Sequence, residues 1–153
     1  MAISGNPRSF HKKFKFLIEI DGIARAHFKT CSELSTEVGV VKHREGGALR
    51  ADKSPGLVED EPITLERGVT NDLELYTWFK EVVDAASGTG LVDDQYKREM
   101  HIVQLDRDGS ELRRWPVTGC WPKKFVAGAW DNDAEEVVIE TVVLEHDGPE
   151  DPE

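Results

Sequence analysis

Five histidines, two cysteines and thirty carboxylates give this 153-residue chain raw material for chemistry, but their spacing assembles no known catalytic set. The sequence contains no GxSxG, P-loop, GxGxxG or HExxH stretch. Among the histidines, His27 lies nearest a thiol, with Cys31 four positions on. In a strand or loop that spacing does not bring a base onto a nucleophile. Asp106-Arg107-Asp108-Gly109 opens like a calcium loop but lacks the third acidic position and the closing bidentate Glu, so it predicts a hairpin turn. Asp131-Asn132-Asp133 reads as a turn before it reads as a cation site, and Arg113-Arg114 and Lys123-Lys124 as solvated strand ends. Cys31 and Cys120 sit outside any CxxC spacing and read as reduced, half-buried small hydrophobes. Trp78 suits a core or a subunit contact, and Trp115 and Trp121 suit covering one end of a body. The residues thus predict no catalytic group, no metal and no cofactor.

Composition narrows the class further. Hydrophobic residues make up 39% and charged ones 32%, as in a soluble globular chain long enough for one domain and one core. No apolar run approaches the roughly 18 residues of a membrane span. The first dozen residues lack the apolar core of a signal peptide, which predicts synthesis and assembly in the cytoplasm. A net charge of −11 argues against a nucleic-acid surface, because phosphate contacts need a basic face. The charge is uneven. Residues 1–58 carry ten Lys and Arg against six Asp and Glu, whereas residues 59–153 carry nine against twenty-four. Such polarity can draw identical subunits together head to tail, although chance clustering on a solvated surface gives the same count.

The elements follow from period and punctuation. Phe14, Phe16, Ile18 and Ile20 alternate as in a strand, Asp21-Gly22 is a hairpin signal, and Ile23 to Phe28 returns. A strand is expected near Glu37–Arg44, with Gly39 marking a bulge. Gly46 to Pro62, with Gly46-Gly47, Pro55-Gly56 and Glu59-Asp60-Glu61, reads as a long loop of the kind that carries function. Pro62–Glu66 is a short strand. Asn71 and Glu74 resemble a capping box for a helix whose stripe is Leu75, Phe79, Val82 and Ala86, stopped by Ser87-Gly88-Thr89-Gly90. Met100–Leu105 and a return through Leu112 and Trp115 make another hairpin. Short strands are expected at Trp121–Ala127 and Glu135–His146. The fold expected is mainly β: two packed antiparallel sheets forming a barrel-like body with one flanking α-helix. Residues 1–148 are expected to form the single domain, with 149–153 a flexible acidic tail.

These segments resemble the tail tube proteins of contractile phages, a family that also supplies the inner tubes of extracellular contractile injection systems and R-type bacteriocins. The resemblance lies in FKFLIEIDGI (Phe14–Ile23), VVKHREGG (Val40–Gly47), ITLERGVTNDLELYTWF (Ile63–Phe79), RRWPVTGCWPKKF (Arg113–Phe125) and EEVVIETVVLEHDG (Glu135–Gly148). They occur in the family's order and cover nearly the whole chain. The resemblance implies a structural inner-tube subunit, not an enzyme, whose copies form hexameric rings stacked into a tube with a lumen for cargo or DNA. It implies as partners the sheath protein, baseplate or hub and tube-terminator proteins, and a luminal cargo or tape-measure protein. The finished assembly would be a virion tail or an injection particle. The ring-stacking loop would comprise Arg44, Glu45, Arg50, Lys53, Leu57, Glu59, Asp60 and Glu61. Its basic groups would meet acidic ones such as Asp131, Asp133 or Glu135 on a neighbour. The alternatives are a tube-initiator or baseplate paralogue of the same family, and a small β-barrel ligand-binding protein or enzyme.

Overall fold

A computed structural model describes residues 15–26, 28–88 and 95–153, with the side chains of 24–26 excepted. Phe14, His27, Thr89 and Gly90 lie outside the described residues. The described chain is mainly β, with nine strands and one helix in the order β1 (Phe16–Ile20), β2 (Ile23–Ala26), β3 (Thr30–Cys31), β4 (Thr36–His43), β5 (Asp52–Asp60), β6 (Ile63–Gly68), α1 (Glu74–Ala86), β7 (Arg98–Leu105), β8 (Glu111–Val126) and β9 (Ile139–Glu145). Seven strands form one antiparallel sheet ordered β2-β1-β7-β8-β9-β6-β3, and β4 and β5 form a second sheet of two.

β8 organises the body. The sequence suggests two separate strands here, because Pro116, Gly119 and Pro122 read as breaks. The structure has one strand of 16 residues instead. Its first half pairs with β7 and its second half with β9, so it joins two wings of the sheet. Gly119, at φ +63°, turns the strand between them, a conformation that glycine adopts without strain. Ile18 and Ile20 of β1, Met100 of β7, Val117 and Cys120 of β8, Ile63 and Leu65 of β6, and Val142 and Leu144 of β9 then share one core. Among the described residues the sheet does not close: it ends at β2 and β3.

α1 packs on β8 through Leu75 and Trp78, both buried. Trp78 therefore belongs to its own subunit's core, and its indole donates to the Tyr96 carbonyl at 2.6 Å. The expected stripe needs correction. Phe79 is only half-buried, stacking on Phe125 with centroids 6.2 Å apart, and Ala86 is exposed. The cap shifts too, because Asp72 and not Asn71 accepts the Glu74 N–H, at 2.9 Å. Asp106–Ser110 is the expected turn. There the Ser110 hydroxyl and N–H hold the Asp108 carboxyl below the usual carboxylate range. The final strand starts at Ile139 and not at Glu135, and 127–138 is irregular. The segment expected as a tail runs beside β8, with Glu150 N–H donating to the Pro116 carbonyl and Glu153 exchanging backbone hydrogen bonds with Arg114.

The β6–β9 ladder sets Ile63 opposite Leu144, Leu65 opposite Val142, and Arg67 opposite Glu140, all six buried. The period-two pattern thus carries an ion pair to the end of an apolar row. Arg67 Nε donates to Glu140, its guanidinium lies 5.8 Å from the Phe28 ring centroid, and Nη1 is 3.7 Å from Asp72. Removing one partner of such a pair leaves a buried charge. Glu140→Ala should lower unfolding free energy by about 3–5 kcal/mol. The double replacement Arg67→Met with Glu140→Leu should recover most of that loss. Urea titrations of the three proteins provide the check.

Candidate assembly surface

Thr36–Asp60 differs physically from the rest of the chain. The expected loop from Gly46 to Pro62 is mostly not a loop. β5 occupies Asp52–Asp60 and pairs with β4 along nearly its full length. The sequence hides this strand because Pro55 and Gly56 sit at its middle. There, between the pairs Val38–Val58 and Val40–Pro55, Gly39 faces the two residues Gly56 and Leu57, which is a β-bulge. A Cβ on Gly56 would come within 3.2 Å of the Gly39 carbonyl, so the two backbones cross where side chains would not fit.

Among the described residues neither strand pairs with any other strand. Strand alternation puts Val38, Val58, Val40 and Pro55 on one face, followed toward the tip by Lys42 and Lys53. Leu57, in the bulge, is 83% exposed, and Leu49, at the tip, is 96% exposed. The polar pairs are unfavourable by themselves. Lys42 lies opposite Lys53 and Glu37 opposite Glu59, and like charges in direct cross-strand register destabilise a ladder. The hairpin is unevenly charged, with a mainly basic tip (Lys42, Arg44, Arg50 and Lys53 against Glu45 and Asp52) and an acidic root (Glu37, Glu59, Asp60, Glu61).

The root is clamped and the tip is not packed. Thr36 Oγ1 donates to Asp60 at 2.8 Å, and Glu61 N–H donates to the Ser35 carbonyl at 3.1 Å. His146 Nδ1 accepts the Gly148 N–H at 3.1 Å, which leaves the ring hydrogen on Nε2 to donate to the Glu61 carbonyl at 2.8 Å. At the tip, Arg44 Nε donates to the Ala48 carbonyl at 2.9 Å, and Glu45 accepts the Ala48 N–H through its own carbonyl. Thus the eight residues singled out from sequence all lie on this ribbon, Arg44, Glu45, Arg50 and Lys53 toward the tip, Leu57 in the bulge, and Glu59, Asp60 and Glu61 at the root. Val38 and Val40 read as one face of an ordinary strand, so their exposure was missed, and Pro55 and Val58 read as loop.

Elsewhere, a groove of about 650 Å³ is lined by Phe16, Cys31, Leu34, Ile102, Trp115 and Pro149 among others. Its surface is largely apolar, with Ser32, Glu33, Thr36 and Gln104 also in the lining. Burial pushes the Cys31 thiol up to about 11 and the Cys120 thiol to about 12, so neither supplies a thiolate near neutrality. Arg114 is held charged by Glu111 and Glu19, at 2.5 and 2.6 Å, as part of the sheet surface.

Comparison with known proteins gives a consistent result. The model of the family described as T4-like virus tail tube protein gp19 matches residues 12–150. No curated protein matches the chain. Among solved structures, a chain of the anti-feeding prophage baseplate is 24% identical, with 96% of each chain covered and a TM-score of 0.74. A chain of the sheath/tube terminator of the PVC extracellular contractile injection system is 19% identical over 97% of this chain and 99% of that one, with a TM-score of 0.81. Hcp1 from Flavobacterium johnsoniae is 14% identical over 86% of this chain and 89% of that one, with a TM-score of 0.56. These likenesses show the fold.

The ribbon's apolar side chains contribute little to the lone subunit, since they stay in water when it folds. Leu49→Glu combined with Leu57→Glu should leave unfolding free energy within about 0.5 kcal/mol of the parent. Chemical denaturation of both proteins at low concentration measures this directly.

Proposed function

The chain belongs to the T4-like virus tail tube protein family, a family of structural proteins and not of enzymes, and from that premise we propose that it is the inner-tube subunit of a contractile tail or injection particle. Six copies form a ring, rings stack into a tube, and the β4–β5 ribbon makes the contact between rings. The observation that carries this reading is the ribbon itself, with an exposed valine face, a mainly basic tip and, among the described residues, no strand partner beyond its own two strands. A free ribbon of this kind exposes two strand edges and a row of valines, features that monomeric proteins avoid.

The sheet offers the complementary feature. It ends at β2 on one side and β3 on the other, and pairing unlike edges between neighbours closes a ring without leaving either exposed. The enclosed lumen would carry cargo, DNA or a tape-measure protein. A sheath would surround the tube, with a baseplate below and a terminator above, as the names of the similar structures suggest. Assembly would start in the cytoplasm and end in a virion tail or an injection particle. No helix among the described residues is long and apolar enough to cross a membrane.

A second reading, a tube initiator at the baseplate, is favoured by the likeness to a chain of the anti-feeding prophage baseplate. Negative-stain images of the purified protein at rising concentration separate the cases. Tubes of open-ended length are expected for the inner-tube subunit and single rings for an initiator. Monomers at every concentration, with no incorporation when co-expressed with sheath and baseplate partners, would sink both.

A further inference from the structure

Residues 127–138 carry a second exposed apolar surface. Trp130 is 73% exposed and Val137 72%, in a stretch that also holds Asp131, Asp133, Glu135 and Glu136, all exposed. The segment has a defined backbone. Asp131 accepts the Asp133 N–H through its carboxylate at 3.0 Å and the Ala134 N–H through its carbonyl at 3.2 Å, which makes a tight turn. At the other end, Val69 N–H donates to the Val138 carbonyl at 2.9 Å, tying the segment to the end of β6. Gly128, at φ +144°, lies so close beneath that an added Cβ would come within 2.5 Å of Val138 and 3.6 Å of the Trp130 ring. The turn and this close approach fix the backbone beside an exposed tryptophan in a segment rich in exposed carboxylates. An exposed tryptophan with a charged rim is the composition of a contact anchor.

The ribbon's tip is mainly basic, the opposite of this acidic segment, and its valine face has the same apolar character. Its valine face ends in Lys42 and Lys53, with Arg50 beside them, and among the described residues neither lysine has a carboxylate partner. We propose that the occupant of the Trp130–Val137 surface is the β4–β5 ribbon of a second copy of this chain, its valines against Trp130 and Val137 and its basic tip against Asp133, Glu135 and Glu136. This rests on the ring-stacking reading above and names the surface that receives the ribbon. Charge favours this pairing over the like-with-like ones, because tip against tip would set lysine against lysine, and turn against turn would set carboxylate against carboxylate. The two surfaces differ and belong to one chain, so the contact is head to tail. Each added subunit therefore presents the same free surface again.

Charge exchange in the full chain tests the pairing. Three proteins are compared with the parent: Arg50→Glu with Lys53→Glu, Asp133→Lys with Glu135→Lys, and all four together. Asp131 is left intact because its carboxylate holds the turn, and circular dichroism confirms folding in each case. Each reversal should reduce the pelleted tube fraction about tenfold at low salt, and the combination should restore it, since exposed ion pairs are individually weak but repeat around a ring. Trp130→Ala should reduce it at all salt concentrations. If the parent stacks, while Asp133→Lys with Glu135→Lys and Trp130→Ala also stack normally, the receiving surface is misassigned and the stacking role of the ribbon survives. If the four-fold exchange stacks no better than either reversal, the pairing is likewise overturned. A parent that never stacks overturns both readings together.

Discussion

β4 and β5 are held by their mutual backbone ladder and by a clamp at the root, and this ribbon has no core of its own. A two-stranded hairpin in water is marginal at best. This one also sets lysine against lysine and glutamate against glutamate across its register. Local energetics would therefore select against it, and its apolar face gains nothing until something covers it. Contact with another surface offsets both costs, by removing the valines and Leu57 from water and by supplying carboxylates to the tip. The root clamp, with His146 bridging the Glu61 carbonyl and the Gly148 N–H, fixes where the ribbon leaves the body.

The body is built to hold such an element steadily. β8 runs through both wings of the sheet, so a load on one wing passes to the other through covalent backbone rather than across a side-chain interface. α1 braces the wings by burying Leu75 and Trp78, and Asp72 links its first turn to the buried Arg67–Glu140 pair. These features suit the proposed stacked subunit, which must keep its shape.

Much of this was legible in the residues where a core imposes period two. Ile63 to Arg67 and the latter half of Glu135–His146 alternate because one side of each strand is buried, Phe16 to Ile20 and Met100 to Leu105 stand out as apolar-rich runs, and all four are strands. The ribbon's second strand was not legible for the same reason: with both faces in water, nothing forces alternation, and Pro55 and Gly56 mimic a loop. The continuity of β8 was masked by Pro116, Gly119 and Pro122. Pro116 faces His101 and Pro122 faces Leu144 in the ladders, while Gly119 supplies the bend. The eight ribbon residues came from family resemblance and from charge, which mark a surface without revealing its strand geometry. Trp130 was not singled out, although a lone tryptophan within an acidic turn is a signal that a polar run gives no folding reason to contain.

The claim that the ribbon is completed only by another copy is tested most directly by hydrogen–deuterium exchange, followed amide by amide in dispersed subunits and in assembled material. Dispersed subunits should exchange rapidly across residues 38–58 while Ile63–Gly68 and Ile139–Glu145 stay protected, and assembly should slow the ribbon by orders of magnitude. Equal protection of the ribbon in both states would show that it is already complete in the single chain and would contradict the account.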